Sequence, residues 1–447
     1  MSVIELGDVS SAAPGPERRE TGPEFDPRSW RRVAAAGVVI LCLLVFAASG
    51  RPGAPMVRQV WQIRPPTDYA MTAREDGLFV SQRSDHGTEL VAYDLATGAA
   101  RWRLPTEGEP GHIIGGEEAG MLLIPGDEKL EDIRLDDDTL GVVAYGGSTT
   151  AVDSRAGYRL WRQTGEVLHE QSDTLLLGER NRNSDITSIR LIEARTGTTI
   201  WQRAVTGVRH VVVPLSAPGR IVTADDLGNL TARRYDDGTV LAERRVPWIP
   251  SRPDSGLDMF LAEANGLLLA TRNTREKSEI TAYRLDALDQ LWRIETSAYA
   301  WTQGCGPVLC VSESKALTAL EPLTGRPVWR LPDYSGVIPV AEDRLLAATP
   351  GQEPEHQILV DPATGRQIGP GGAGWPLYGS VDDDSLLLLH RIIGTGTAYS
   401  GVSELDLKTG RIYRIGAIDG FDGPQCGSAG RFMACDHAGR VVVTAFG

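Results

Sequence analysis

One module recurs down this chain, and it limits the possible folds more than any other feature. It reads LVAYDLATGAARWRL at 90–104, TTAVDSRAGYRLWRQ at 149–163 and SIRLIEARTGTTIWQR at 188–203. A degenerate copy, NLTARRYDDGTVLAER, follows at 229–244, then EITAYRLDALDQLWRI at 279–294 and ALTALEPLTGRPVWRL at 316–331. QILVDPATGRQIG at 357–369 and VSELDLKTGRIYRIG at 402–416 complete the series. The turn glycines are Gly98, Gly157, Gly197, Gly238, Gly325, Gly365 and Gly410, with Leu288 in the equivalent place. Trp102, Trp161, Trp201, Trp292 and Trp329 each lie four residues after that position. Most steps between turns fall between 36 and 51 residues; the step from Gly98 to Gly157 is 59, which predicts an insertion.

Each module has a simple physical reading. An apolar or alternating run such as LVAYDL is a strand. The Asp-x-x-Thr-Gly stretch turns the chain, with glycine supplying the positive φ of a tight hairpin. The short run holding the tryptophan is the next strand. Two further candidate strands lie upstream of each module, as in GLFVSQ at 77–82, GLLLATR at 266–272 and SLLLLHRI at 385–392. Four strands in 40 to 50 residues is the arithmetic of a β-propeller. A four-stranded sheet with two apolar faces cannot bury them alone, so neighbouring sheets must pack face to face and the ring must close.

The pattern Ala-x-Asp-x-x-Thr-Gly-x-x-x-Trp is met in full at Ala92, Asp94, Thr97, Gly98 and Trp102, and by Thr324, Gly325 and Trp329 with Glu321 in the aspartate place. It resembles the tryptophan-docking motif of the pyrroloquinoline-quinone-like (PQQ-like, quinoprotein dehydrogenase-like) β-propellers over about residues 57 to 447. The resemblance implies an all-β propeller. It is strong for fold and weak for function. That superfamily holds quinoprotein dehydrogenases and also the non-enzymatic scaffold lipoprotein of outer-membrane barrel assembly. Quinoproteins of this fold cover their cofactor with a disulfide between adjacent cysteines, and no two cysteines are adjacent here. No calcium-holding Glu/Asn pair and no catalytic aspartate can be placed on a matching motif, so no cofactor is expected.

Closure has its own signature. VRQVWQIR at 57–64 reads as an outer strand with its Trp61 but no blade before it. The C-terminal RFMACDHAGRVVVTAFG reads as strands lacking an outer partner. Each supplies what the other lacks. The fold expected is therefore a propeller of about eight four-stranded blades, or nine with the split one added, closed by an N-terminal strand.

Residues 33 to 49 read VAAAGVVILCLLVFAAS without a charge, and Gly50 extends the run. This is short but sufficient for one transmembrane helix at 33–50. Arg18, Arg19, Arg28, Arg31 and Arg32 precede it, against Arg51, Arg58 and Arg64 after it. That bias puts the N-terminus in the cytoplasm. A cleaved signal peptide is the competing reading, with Ala47-Ala48-Ser49 as the cleavage site. The long preceding tail with its acids (Glu5, Asp8, Glu17, Glu20, Glu24, Asp26) argues against it. The surroundings of Arg31-Arg32 match a twin-arginine signal poorly, and Cys42 inside the apolar run reads as a helix residue rather than a lipoprotein site. Residues 1–32, poor in apolar groups, read as a disordered cytoplasmic tail. Residues 51–56 read as a short linker and 57–447 as the extracytoplasmic propeller.

Beyond the apolar run the cysteines are Cys305, Cys310, Cys426 and Cys435. Four cysteines allow three pairings, and locality favours Cys305–Cys310 and Cys426–Cys435. Such disulfides suit an oxidising extracytoplasmic space; buried free thiols are the alternative. The spacings fit no zinc knuckle. The seven histidines (His86, His112, His169, His210, His356, His390 and His437) show no metal-protease spacing, and no nucleophile elbow or phosphate loop is present. GDEKLEDIRLDDD at 126–138 lacks the form of a calcium loop and reads as a solvated insertion. A net charge of −14 is the reverse of what a nucleic-acid partner requires. The chain is expected to be a single-pass membrane protein of the cell envelope whose propeller binds a protein, peptide or glycan as a scaffold. An enzyme with acids converging in the central funnel is the second reading.

Overall fold

The computed structural model describes residues 57–446 except 67, 108–112, 114, 116–119, 135–139, 216–218, 249–257, 352–355, 378–383, 393–398 and 420–425. The tail, the apolar segment 33–50 and the linker 51–56 lie outside the described residues. Among the described residues all regular structure is β-strand, and no helix is long and apolar enough to cross a membrane.

The module folds as its sequence dictates. Strands Gly87–Tyr93 and Ala100–Thr106 pair antiparallel, with Leu90 opposite Leu104 and Ala92 opposite Trp102. Between them, Gly98 N–H donates to the Asp94 carbonyl at 2.9 Å, with φ +71° at the glycine. Asp94 Oδ1 accepts from the N–H groups of Ala96 and Thr97 and from the Thr97 hydroxyl. The aspartate and threonine of the motif thus satisfy the turn's own backbone. Asp361 and Glu321 do the same for Thr364 and Thr324.

These strands build six four-stranded antiparallel sheets and one ten-stranded sheet among the described residues. The larger sheet joins three consecutive modules for two local reasons. Strand Thr199–Val212 pairs first with Ile186–Glu193 and then, further along, with Arg220–Asp225, so it is the last strand of one module and the first of the next. The strands Met121–Arg134 and Leu140–Asp153 form a long hairpin that outgrows its module, and Gly146 meets Arg180 of the following one. This hairpin is the insertion expected from the long step. Gly126–Arg134 of the acidic stretch lies within it; residues 135–138 are outside the described set.

The second strand of these sheets is buried on both faces: Gly77–Gln82 is buried throughout, and so are Leu267–Thr271 and Leu386–Leu389. That is why these strands read as unbroken apolar runs. Outer strands such as Ala100–Thr106 and Pro327–Pro332 alternate and are largely exposed.

Apolar clusters lie between successive modules. Phe79, Leu90 and Ala92 meet Leu122 and Val152. Met121, Leu123 and Ala151 meet Leu175 and Leu177. The series continues to Leu387, Leu389 and Val402, which meet Val57, Met433 and Phe446. A further cluster joins the two ends of the chain: Leu78, Val80 and Val91 of the first module pack on Ala434, Val441 and Val443 of the last. Strand Val57–Ile63 pairs antiparallel with Val441–Phe446, completing the order Val57–Ile63, Val441–Phe446, Phe432–Asp436, Cys426–Ala429 in one sheet.

Candidate binding face

Each module tryptophan lies against the turn glycine of the next module. Trp61 Nε1 donates to the Leu95 carbonyl (2.8 Å), Trp102 to Ser154 (3.1 Å) and Trp161 to Ala194 (2.7 Å). Trp201 donates to Tyr235 (2.7 Å), Trp292 to Pro322 (2.7 Å) and Trp329 to Pro362 (2.8 Å). A Cβ at Gly98 would stand 2.7 Å from Trp61 Cδ2, and at Gly157 2.3 Å from Trp102 Cδ2. The same indole contact occupies Gly197, Gly238, Gly325 and Gly365. These glycines therefore answer two demands, positive φ and a flat ring at close range. Gly410 has Gly369 before it where a tryptophan would stand. Leu288 also adopts positive φ (+57°), and the residue before it in the docking place is Ala242. Leu288 is fully buried in one cluster with Ala242, so the leucine fills the space the missing indole leaves. Cys305 is bonded to Cys310 and Cys426 to Cys435, each bridging adjacent strands of one sheet.

Those residues hold the frame together. The surface feature that sets itself apart is aromatic. Phe260, on strand Asp258–Ala264, stacks on Trp301, on strand Trp301–Cys305, with ring centroids 5.0 Å apart and an interplanar angle of 23°. Both strands are the first of their modules, as is the second half of Thr199–Val212, where His210 meets Trp248 edge-on at 5.4 Å. Trp301 is 58% exposed and Tyr299 62%, whereas Ala300 between them is 1% exposed. Tyr299 has φ +60°, a region that bulky L-residues avoid.

A polar network holds this unfavourable turn. Ser297 donates to Glu313 Oε1 through its N–H (3.2 Å) and its hydroxyl (3.0 Å), and the Thr296 hydroxyl donates to the same oxygen. Ala300 N–H donates to Ser278 Oγ at 2.9 Å, and that hydroxyl donates to Asn273. Arg330 stands 3.4 Å from Glu313. Burial alone would raise the Glu313 carboxyl, but the bonds from Thr296 and Ser297, with Arg330, outweigh it and hold the group below its ordinary value. On the preceding module the buried Glu279 is held between Arg272 (2.8 Å) and Arg293. The result is a pre-ordered aromatic surface with a charged rim, the composition of an interface hot spot. Among the described residues no group of three His, Cys, Asp or Glu side chains is placed to hold a metal ion.

The sequence reading passed over Phe260, Tyr299 and Trp301. A signal was there: Trp301 and Trp248 stand outside the docking register, so neither is accounted for by the module.

Residues 54–186 match the family described as outer membrane protein assembly factor BamB. The outer membrane protein assembly factor BamB of Yersinia pestis is 28% identical over 124 residues, 27% of this chain and 31% of that protein. The chain thus spans about a third of the curated relative it matches. Among solved structures, BamB from Moraxella catarrhalis is 14% identical, covering 87% of this chain and all of that one, with a TM-score of 0.43. A europium-containing methanol dehydrogenase is 11% identical, covering 66% and 85%, with a TM-score of 0.32.

Proposed function

Because the chain carries PQQ-like β-propeller repeats, we propose that it is a membrane-anchored scaffold whose extracytoplasmic propeller, of about eight or nine blades, docks a protein partner at the cell envelope. The uncharged run 33–50 is the anchor, with the tail 1–32 in the cytoplasm, the linker 51–56 and the propeller 57–447 beyond the membrane. The arginine bias around the run supports that orientation. The matching relative's description as an assembly factor supports a protein ligand. The observation that carries the reading is the Phe260–Trp301 stack with Tyr299 beside it. A monomeric surface has little reason to maintain a left-handed tyrosine and an exposed indole by four hydrogen bonds unless they are used.

The test is site-specific. A photoreactive side chain at position 299 in intact cells should crosslink a discrete protein partner, and Trp301→Ala should remove that product. The same group on the outer strand at Val328 should give none. Equal products from both positions would sink the assignment of this face.

A further inference from the structure

We infer that the seam between the last two modules holds a second binding site, one for a carboxylate carried on a short aliphatic body. A pocket of about 170 Å³ opens there, between strand Ile412–Asp419 and the sheet that closes the chain. Its shape follows from the register. Strand Val57–Ile63 has a bulge between Gln59 and Trp61, with Gln59 opposite Thr444 and Gln62 opposite Val442. The bulge resets the alternation. Trp61 turns toward the first module, while Val57, Gln59 and Gln62 all face the pocket. From the neighbouring strand, Arg440, Val442 and Thr444 alternate onto the same face, and Cys435 and His437 follow. The opposite wall is Ala417 and Ile418, and the small side chain of Ala417 leaves the space.

The chemistry of the lining is one-sided. Arg440 and His437 offer cationic or neutral N–H donors, and Gln59 and Gln62 offer amide donors at the exposed mouth. Among the described residues no acidic side chain lines the pocket. Arg440 makes no ion pair among the described residues, whereas arginines such as Arg103, Arg195 and Arg272 do. Below these donors the floor is apolar: Val57 and Cys435 are buried and Val442 is half-buried. A guanidinium above an apolar floor fits a carboxylate, which it can hold with two parallel bonds, with an aliphatic group beneath. A free organic acid and the C-terminus of a peptide share that chemistry. The site is separate from the aromatic face and does not depend on it.

The test uses the full chain in detergent with isovalerate, its amide and isopentylamine as probes, read by calorimetric titration and melting. Isovalerate should bind and raise the melting temperature, because it ties the first strand to its neighbours; the amide and the amine should do neither. Arg440→Gln should weaken isovalerate by at least about tenfold, and Arg440→Lys should keep part of the affinity. Ala417→Phe, which fills the space without touching charge, should abolish binding. An N-acetylated dipeptide acid binding more tightly than isovalerate assigns the pocket to a peptide C-terminus, and the reverse order to a free acid. The inference is overturned if no acid shifts the wild-type chain, if Arg440→Gln binds as wild type does, or if inorganic phosphate binds more tightly than any carboxylate.

Discussion

Trp61 donates its indole N–H to the carbonyl of Leu95 at 2.8 Å, and its ring lies where a Cβ on Gly98 would be. The strand that carries Trp61 is hydrogen-bonded to the last strand of the chain. One side chain therefore links the C-terminal sheet to the first full module. Removing residues 57–63 should strip the closing sheet of its outer strand and leave an unpaired edge. A chain beginning at Pro55 should melt cooperatively, while one beginning at Pro66 should melt much lower or aggregate. Trp61→Ala should cost about 3–5 kcal/mol. Equal melting temperatures for the two truncations would show that the strand is only a linker.

Leu288 and Ala242 make a complementary exchange of the same contact. At six other turns a tryptophan faces a glycine; here an alanine faces a leucine in the left-handed conformation. Leu288→Gly should relieve backbone strain but open a cavity, for a net loss of about 1–3 kcal/mol. Ala242→Trp alone should clash with the leucine. The double substitution rebuilds the common pair and should recover most of both losses. A double-mutant cycle by chemical denaturation measures this coupling, and strict additivity would show that the two positions do not meet.

Glu313 anchors the turn that presents Tyr299 and Trp301. Its carboxyl lies below the ordinary 4.5, so its contribution is present above that value and is lost as the pH falls through the lower folded value. Glu313→Gln should therefore lower the melting temperature at neutral pH, and the gap from wild type should close as the pH drops below about 4.5. Amide exchange of residues 297–300 should quicken in the variant at neutral pH. A gap independent of pH would rule out the carboxylate as the anchor.

Much of the frame was legible because the module enforces it locally. Asp94, Thr97 and Gly98 encode their own turn. Trp61 without a blade before it announced the closing strand. The partner of each tryptophan was not legible, since the Trp61–Gly98 contact crosses modules and no spacing within one module reveals it. The aromatic face was hidden for a related reason. Phe260 and Trp301 lie on different strands, and the turn that presents Tyr299 is tied at Ser297 to a carboxylate from another strand. The pocket at the seam needs a bulge, which alternation in the sequence does not disclose.

Cys305–Cys310 and Cys426–Cys435 bear on both stability and location. Both pairs close short loops, so each should add about 2–3 kcal/mol in the chain-entropy picture. Cys305 and Cys310 are fully buried, and reductant should reach them only as the sheet opens. Mass spectrometry of the non-reduced protein from cells should find these two pairings and no other. A cytoplasmic domain would keep all four as thiols. Protease added outside cells stripped of their wall should cut near Arg51–Arg64 and spare a tag placed at Met1. A digested tag together with four free thiols would reverse the orientation proposed here. A protected tag with both disulfides intact is the outcome expected from an anchor at 33–50.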